Sequence, residues 1–315
     1  MKQELTALVA AIRSQSWAII PDYLDAIEAI ALRALDEDVL KKIAQDGHVP
    51  RLEANWSAVA AVGTRLEGAA MTTIRDGTAV VPLFGAIFPR ASMVNASTDG
   101  TSLDAFMRDI RVAQASTDVT RIVILVDSPG GVVSGLGEAA ETLRASSKPI
   151  TAFVTGNCAS AAYWLCSQVS EIVMDRSAAV GSIGVVASMS RQEAADANGR
   201  RSYEIVSSNA PDKRPDPSTE EGRAAIQKDI DAVEAVFIED VAAGRGVTVE
   251  HVRAEFGRGA MFAASRAVKA GMADRIGTLE GVLSEGSGRT RVKRAGRSAH
   301  ATAEIETRRR AAMRN

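Results

Sequence analysis

Four stretches of this chain hold residues whose type and spacing could act on a carbonyl group. Asp127-Ser128-Pro129-Gly130-Gly131 follows a run of branched apolar residues, and Ser160 lies among small residues in Asn157–Leu165. Gly181-Ser182-Ile183-Gly184 ends a later apolar run, and Lys213 stands in the polar, Pro-rich stretch 208–218. A serine hydroxyl is a poor nucleophile until an adjacent base takes its proton. Glycines let backbone amides approach a substrate without side-chain obstruction. Preorganised N–H donors are each worth on the order of 3 kcal/mol to an anionic tetrahedral intermediate. The chemistry these residues suit is acyl transfer, with Ser160 as nucleophile and the amides of Gly130, Gly131 and Ala161 as oxyanion donors. Taken alone, Ser-Pro-Gly-Gly also fits an ordinary tight turn.

The base is harder to read. The three histidines, His48, His251 and His300, all lie outside residues 121–205. That disfavours a Ser-His-Asp triad. A lysine can replace histidine when burial, without a carboxylate partner, disfavours its ammonium form. Between Ser160 and the long helix expected after residue 218, Lys213 is the only lysine. Asp212, Arg214 and Asp216 surround it, and composition alone reads it as a solvated loop charge.

The elements that must position these groups follow from periodicity. Arg121–Asp127 and Pro149–Val154 are continuous apolar runs, typical of parallel strands covered on both faces. Glu171–Asp175 is a third strand, and Val180–Ser188 is largely extended. Helices are expected over 101–116, capped by Thr101 or Ser102, from the Ser128–Gly131 turn to about Ser146, and over Ser160–Ser167. Residues 78–88 read as a strand broken at Pro82 and Gly85, and 203–207 as another strand. A long helix starts after Ser218 or Thr219, and Val249–Phe256 is a shorter one. Phe262–Ile276 reads as helix, turn and strand, with Gly271 near a C-cap. This alternation predicts an α/β domain of right-handed βαβ units.

Outside this domain, residues 1–75 read as a mostly helical N-terminal extension. Leu24, Ile27, Ala31 and Leu35 recur at helical spacing, and Pro21 suits a helix start. The peptide-sized glycine edge at Gly130–Val133 is expected to accept an extended substrate as an added strand. Residues 285–315 form a basic tail with Arg308, Arg309 and Arg310 at its end. Solvation is its simplest role, with assembly or nucleic acid as alternatives.

Composition excludes several classes. A net charge of −2 argues against a chain generally committed to nucleic acid. Cys158 and Cys166 make neither a disulfide framework nor a zinc site, and read as reduced packing residues of a cytosolic setting. Glu4 and Arg13 fall where a signal peptide's apolar run would lie, and no run approaches the ~18 apolar residues of a spanning helix. A soluble, intracellular location without membrane attachment is expected.

Taken together and in order, the motifs resemble the SppA-like (signal peptide peptidase A) Ser-Lys peptidases, especially the phage branch of minor capsid protein C-type prohead proteases. DSPGG at 127–131, NCASAAYWL at 157–165 and GSIGV at 181–185 carry the resemblance, with FAASRAVKAGMADRI at 262–276. The resemblance covers about residues 78–283. It implies a ClpP/crotonase-type superhelical fold at residues 76–284, usually in oligomeric rings. It also implies Ser160 as nucleophile, Lys213 as base, Ser182 orienting the lysine, and Gly130 and Ala161 in the oxyanion hole. No metal or cofactor is implied. The substrates implied are scaffold or capsid proteins. Ala161-Ala162-Tyr163 stands where relatives often carry Gly-Gly-Tyr, and the lysine loop lacks a glycine common there. Asp212 is a potential partner of Lys213. Three other readings use the same residues: a host peptidase degrading peptides, a crotonase-like acyl-CoA enzyme, and a structural capsid component with a vestigial peptidase domain.

Overall fold

The computed structural model describes residues 16–24, 62–90, 100–188 and 205–285. Helical residues beyond 24, the segment 91–99, residues 189–204 and the basic tail expected from sequence lie outside them. In chain order the strands up to the first helix are β1 (Ser16–Ile19), β2 (Thr64–Arg65), β3 (Thr73–Arg75), β4 (Thr78–Phe84), β5 (Ile87–Phe88) and β6 (Thr101–Ser102). Then come α1 (Leu103–Ala115), β7 (Arg121–Ser128), β8 (Gly130–Val132), α2 (Leu136–Arg144), β9 (Ile150–Ala159) and α3 (Ala161–Cys166). They are followed by β10 (Glu171–Met174), β11 (Ala179–Gly181), β12 (Val186–Ala187), α4 (Glu220–Arg245) and α5 (Val249–Glu255). The last elements are β13 (Met261–Ala263), α6 (Ala264–Ala270), β14 (Arg275–Ile276) and α7 (Leu279–Ser284).

The centre is parallel. β4 pairs with β7, β7 with β9, and β9 with both β10 and β11. Parallel strands need crossovers, and α1, α2 and α3 supply them, which is the βαβ alternation expected of this α/β fold. The apolar runs are continuous because both faces are covered. Val81, Leu83, Ile122, Ile124, Ala152 and Val154 face the main core with α1, α2 and α3. Val80, Val123, Leu125, Phe153 and Val173 face a second cluster closed by Val282 and Leu283 of α7. Each Val, Leu, Ile or Phe among them contributes about 1.5–3 kcal/mol by its burial.

The caps fall where sequence placed them. Ser102 Oγ accepts from Ala105 N at 3.4 Å, and Thr219 Oγ1 accepts from Gly222 N at 3.0 Å. Buried Asp109 ties α1 to the approach to β3, accepting from the amides of Ala70, Met71 and Thr72 at 2.7–3.1 Å.

Four local readings change. Pro82 does not break β4, which runs through it opposite Leu125. β3 reaches only to Val80 on the other side, so no ladder there needs the missing amide. The sheet begins before residue 78, since β2 and β3 extend it. Residues 205–207 are not a strand, and Ile205 is exposed. Finally, Ser16–Ile19 is a strand where a mostly helical extension was expected, and helical backbone starts at Pro21 as its sequence suggested. Trp17 and Ile19 suit a pleated surface, and two strands offer β1 their edges.

Those edges belong to a second sheet, ordered β12-β1-β8-β5-β6. β8 is the glycine stretch after Pro129, so what sequence took for a turn is turn plus strand. The two sheets meet where β7 passes into β8 and β9 ends.

Candidate active site

Ser160 sits at the abrupt junction between β9 and α3. Its backbone has φ +51° and ψ −115°, a conformation L-residues rarely adopt. Such strain costs about 1–3 kcal/mol and persists only where surroundings enforce it. Ser160 N donates to Gly181 O and Trp164 N donates to Ser160 O, both at 2.8 Å. Every residue of α3 is buried. Trp164 stacks on Phe237 of α4 with centroids 4.5 Å apart, and its Nε1 donates to Asp240 Oδ2 at 2.8 Å. Asp240 also accepts from Arg144 at 2.6 Å. Tyr163 Oη donates to Met272 O at 2.9 Å, and burial pushes that phenol's pKa far up. Arg245 of α4 pairs with Asp274 at 3.1 Å beneath this layer.

The end of β9 is reshaped to deliver the serine. The β7–β9 register passes from Val126↔Val154 to Ser128↔Cys158, so β9 carries two extra residues. Asp127 Oδ1 takes up that irregularity by accepting from Asn157 N at 2.9 Å. Cys158 and Cys166 are free and buried. Burial, then the neighbouring Cys166, pushes the Cys158 thiol well above its ordinary range. Both are packing residues.

Gly130 adjoins the serine. A Cβ there would meet the Ala159 carbonyl oxygen at 3.0 Å and collide with that of Ala18, and φ is +103°. Its amide donates to Ser128 Oγ at 3.2 Å, and Ser128 Oγ donates to Gly85 O at 2.6 Å. Gly131 presses on the backbone of Ile87, leaving no room for a side chain. Ala161 follows Ser160 as the first, fully buried residue of α3.

Ser182 closes the site from β11. It too has a left-handed backbone, φ +53°, and its amide donates to Ala260 O at 3.1 Å. Ser160 Oγ points to this loop, donating to Gly184 O at 3.4 Å. The side chain of Ser160 is fully buried.

Lys213 is placed differently. It ends an exposed 3-10 turn, Pro211–Lys213, and its amide donates to Ala210 O at 3.1 Å. No hydrogen bond joins its ammonium to Ser160 or Ser182, and no ion pair joins it to Asp212. The structure therefore gathers Ser160, Ala161, Gly130, Gly131 and Ser182, and joins the exposed Lys213 to none of them by a hydrogen bond. Among the described residues no group of three or more His, Cys, Asp or Glu is placed to hold a metal ion. His251 packs edge-on against Phe256, 5.4 Å between centroids, within α5 and the residue after it. No helix among the described residues is long and apolar enough to cross a membrane.

Sequence reasoning missed β1. Its alternation in Ser16-Trp17-Ala18-Ile19 was the available signal, masked by the helical spacing that follows it.

Residues 142–293 match the family model described as Peptidase family S49. That match spans just under half of the chain. The matched residues include Ser160, Ser182 and Lys213, while Gly130 and Gly131 precede them. Among curated relatives, the head-tail preconnector protein GP5 of Enterobacteria phage P21 is 27% identical over 206 residues, covering 64% of this chain and 41% of the relative. Capsid assembly protease C of Escherichia phage lambda is 25% identical over 270 residues, covering 84% of this chain and 56% of the relative. The chain thus matches only about half the length of either. A putative protease of Synechocystis, slr0021, is 29% identical over 50% of this chain and 59% of its own length. Among solved structures, a mutant of the 1510-N membrane-bound stomatin-specific protease with a substrate peptide is 18% identical, with a TM-score of 0.41 over 65% of this chain and 77% of that one.

Proposed function

We propose that this chain is a serine endopeptidase with a Ser160–Lys213 dyad that cleaves scaffold or capsid proteins during phage procapsid maturation. The observation that carries the reading is the enforced left-handed backbone of Ser160 beside Gly130. A strained serine at a sharp strand-to-helix turn aims its hydroxyl away from the helix, here toward Gly184 O. Likeness to a relative named as a capsid assembly protease, and to another named as a head-tail preconnector protein, supports the substrate class.

In the proposed mechanism Ser160 Oγ attacks the substrate carbonyl carbon while Lys213 Nζ, in its neutral form, takes the hydroxyl proton. The oxyanion is received by the backbone amide of Ala161 and by that of Gly131, or of Gly130 once it releases Ser128 Oγ. Collapse of the intermediate breaks the C–N bond, and Lys213 returns the proton to the leaving amine. Water then attacks the acyl-serine ester by the same proton path. Ser182 orients the lysine. No cofactor enters these steps.

The exposed position of Lys213 sets a requirement. Its turn must fold in over Ser160, or a second copy in a homo-oligomer must press it there. A serine-directed fluorophosphonate tests the reading: it should label Ser160 in the wild-type chain, and neither Ser160→Ala nor Lys213→Ala should cleave scaffold or capsid substrate. Cleavage by purified Ser160→Ala removes the proposal.

A further inference from the structure

The strand β1 is gripped on both edges by segments of the candidate site. On one side Trp17 lies opposite Val132, Ala18 opposite Gly131 and Ile19 opposite Gly130. On the other, Ser16 lies opposite Ala187 and Trp17 opposite Val186, in the strand that follows the Gly181–Gly184 loop. Both pairings are antiparallel. The run is extended by Ile20 N donating to Pro129 O at 2.9 Å and Val133 N donating to Ser16 O at 3.2 Å. The Ala18 carbonyl lies against Gly130, which the carbonyl preceding Ser160 also approaches. β1 occupies the edge of β8 that faces away from β5 and one edge of β12, so an extended peptide entering between β8 and β12 meets β1 there.

Side chains alternate along β1. Trp17 and Ile19 enter an apolar cluster with Leu24, Ala86, Phe88 and Val132. Trp17 meets Phe88 edge-on at 5.9 Å. Ala18 points the other way, into the main core, and is fully buried. The cleft thus sorts by size: a large apolar side chain, a small one, a large apolar one.

We infer that β1 fills the cleft for an extended peptide substrate, so that the chain holds its own segment as a stand-in. Substrates bind by displacing that segment and adding a strand between β8 and β12. They carry a large-small-large apolar pattern, with the first side chain in the pocket of Trp17 and the small one opposite Gly131. This rests on the peptidase reading and adds to it a substrate class and a control: the segment must leave before cleavage starts.

The test locks the strand in place. Directly opposed antiparallel residues have Cβ atoms about 4.5–5.5 Å apart, close enough for a disulfide after small adjustment. Ser16→Cys with Ala187→Cys is made in the full chain, on a Ser160→Ala background so that no turnover occurs. The probe is a fluorescein-labelled peptide with the sequence of residues 16–24. The reduced chain should bind it, and the oxidised chain should bind it at least tenfold more weakly, with dithiothreitol restoring binding. A probe with tryptophan in place of the alanine corresponding to Ala18 should bind the reduced chain at least tenfold more weakly. Equal binding by oxidised and reduced chains, or no binding by the reduced one, overturns the inference. Equal binding of the two probes overturns the size pattern. The reduced chain is its own folding control. In the catalytically intact double-cysteine chain, bound peptide with neither cleavage nor Ser160 labelling would sink the peptidase reading and leave the cleft assignment standing.

Discussion

The serine junction and the lysine turn differ in almost every physical respect. Ser160 is fully buried, strained, and backed by a helix whose every residue is buried. Lys213 is exposed on a three-residue turn, where its backbone amide makes a single local bond. A nucleophile in an unfavourable backbone conformation needs many contacts to stay there. A base does not need them until the site is in use. The contrast teaches that the fold fixes the proposed nucleophile through many contacts and leaves the proposed base exposed on a short turn.

The sharpest way to break this comparison is to remove each partner. Ser160→Ala and Lys213→Ala should both reduce cleavage to background, a loss on the order of 10⁶-fold for the nucleophile if the groups act as a unit. Thermal unfolding should not move for Lys213→Ala, whose side chain contacts little. Cleavage surviving in Lys213→Ala would place the base elsewhere.

The serine side should be costly to disturb at a distance. Trp164→Ala removes the stack on Phe237 and leaves Asp240 short of a donor, and should cost about 3–5 kcal/mol in urea denaturation. A cost below that of an ordinary surface change would mean that α3 is not the platform described.

Gly130→Ala probes the seam between serine and strand. The methyl group collides with Ala18 O and forces an alanine to φ +103°. About 1–3 kcal/mol of stability should be lost. Peptide binding should fall with it, measured by the same fluorescent probe; unchanged binding and stability would show that the seam is slack.

The smallest effect is expected beside the lysine. Asp212→Asn should change stability by less than about 0.5 kcal/mol, as at exposed sites generally. Cleavage should change less than twofold, because no ion pair restrains Lys213. A large gain in cleavage would reveal that Asp212 does hold the lysine when the site closes.

Much of this was legible in the chain itself. The apolar runs at 121–127 and 149–154 marked parallel strands, since a strand covered on both faces carries no polar alternation. Ser102, Thr219 and Gly271 marked helix ends through chemistry confined to three or four residues. The order of DSPGG, NCASAAYWL and GSIGV pointed to one peptidase family. Pro82 was misread because its effect depends on whether a neighbour strand needs the amide. Residues 16–19 were misread because the alternation of a four-residue strand is too short to outweigh the helical spacing that follows it, and only the edges that receive it decide the matter.

Residue order by itself determined the βαβ alternation, the helix caps and the candidate reacting groups, all of which rest on local periodicity and hydrogen bonding. Tertiary structure alone decided that Ser160 is held left-handed, that Gly130 lies beside it, and that an N-terminal strand crosses them both. It also left Lys213 exposed. Those outcomes depend on contacts between segments distant in the chain, from Ser160 with Gly181 to Ala18 with Gly130, which no local pattern encodes.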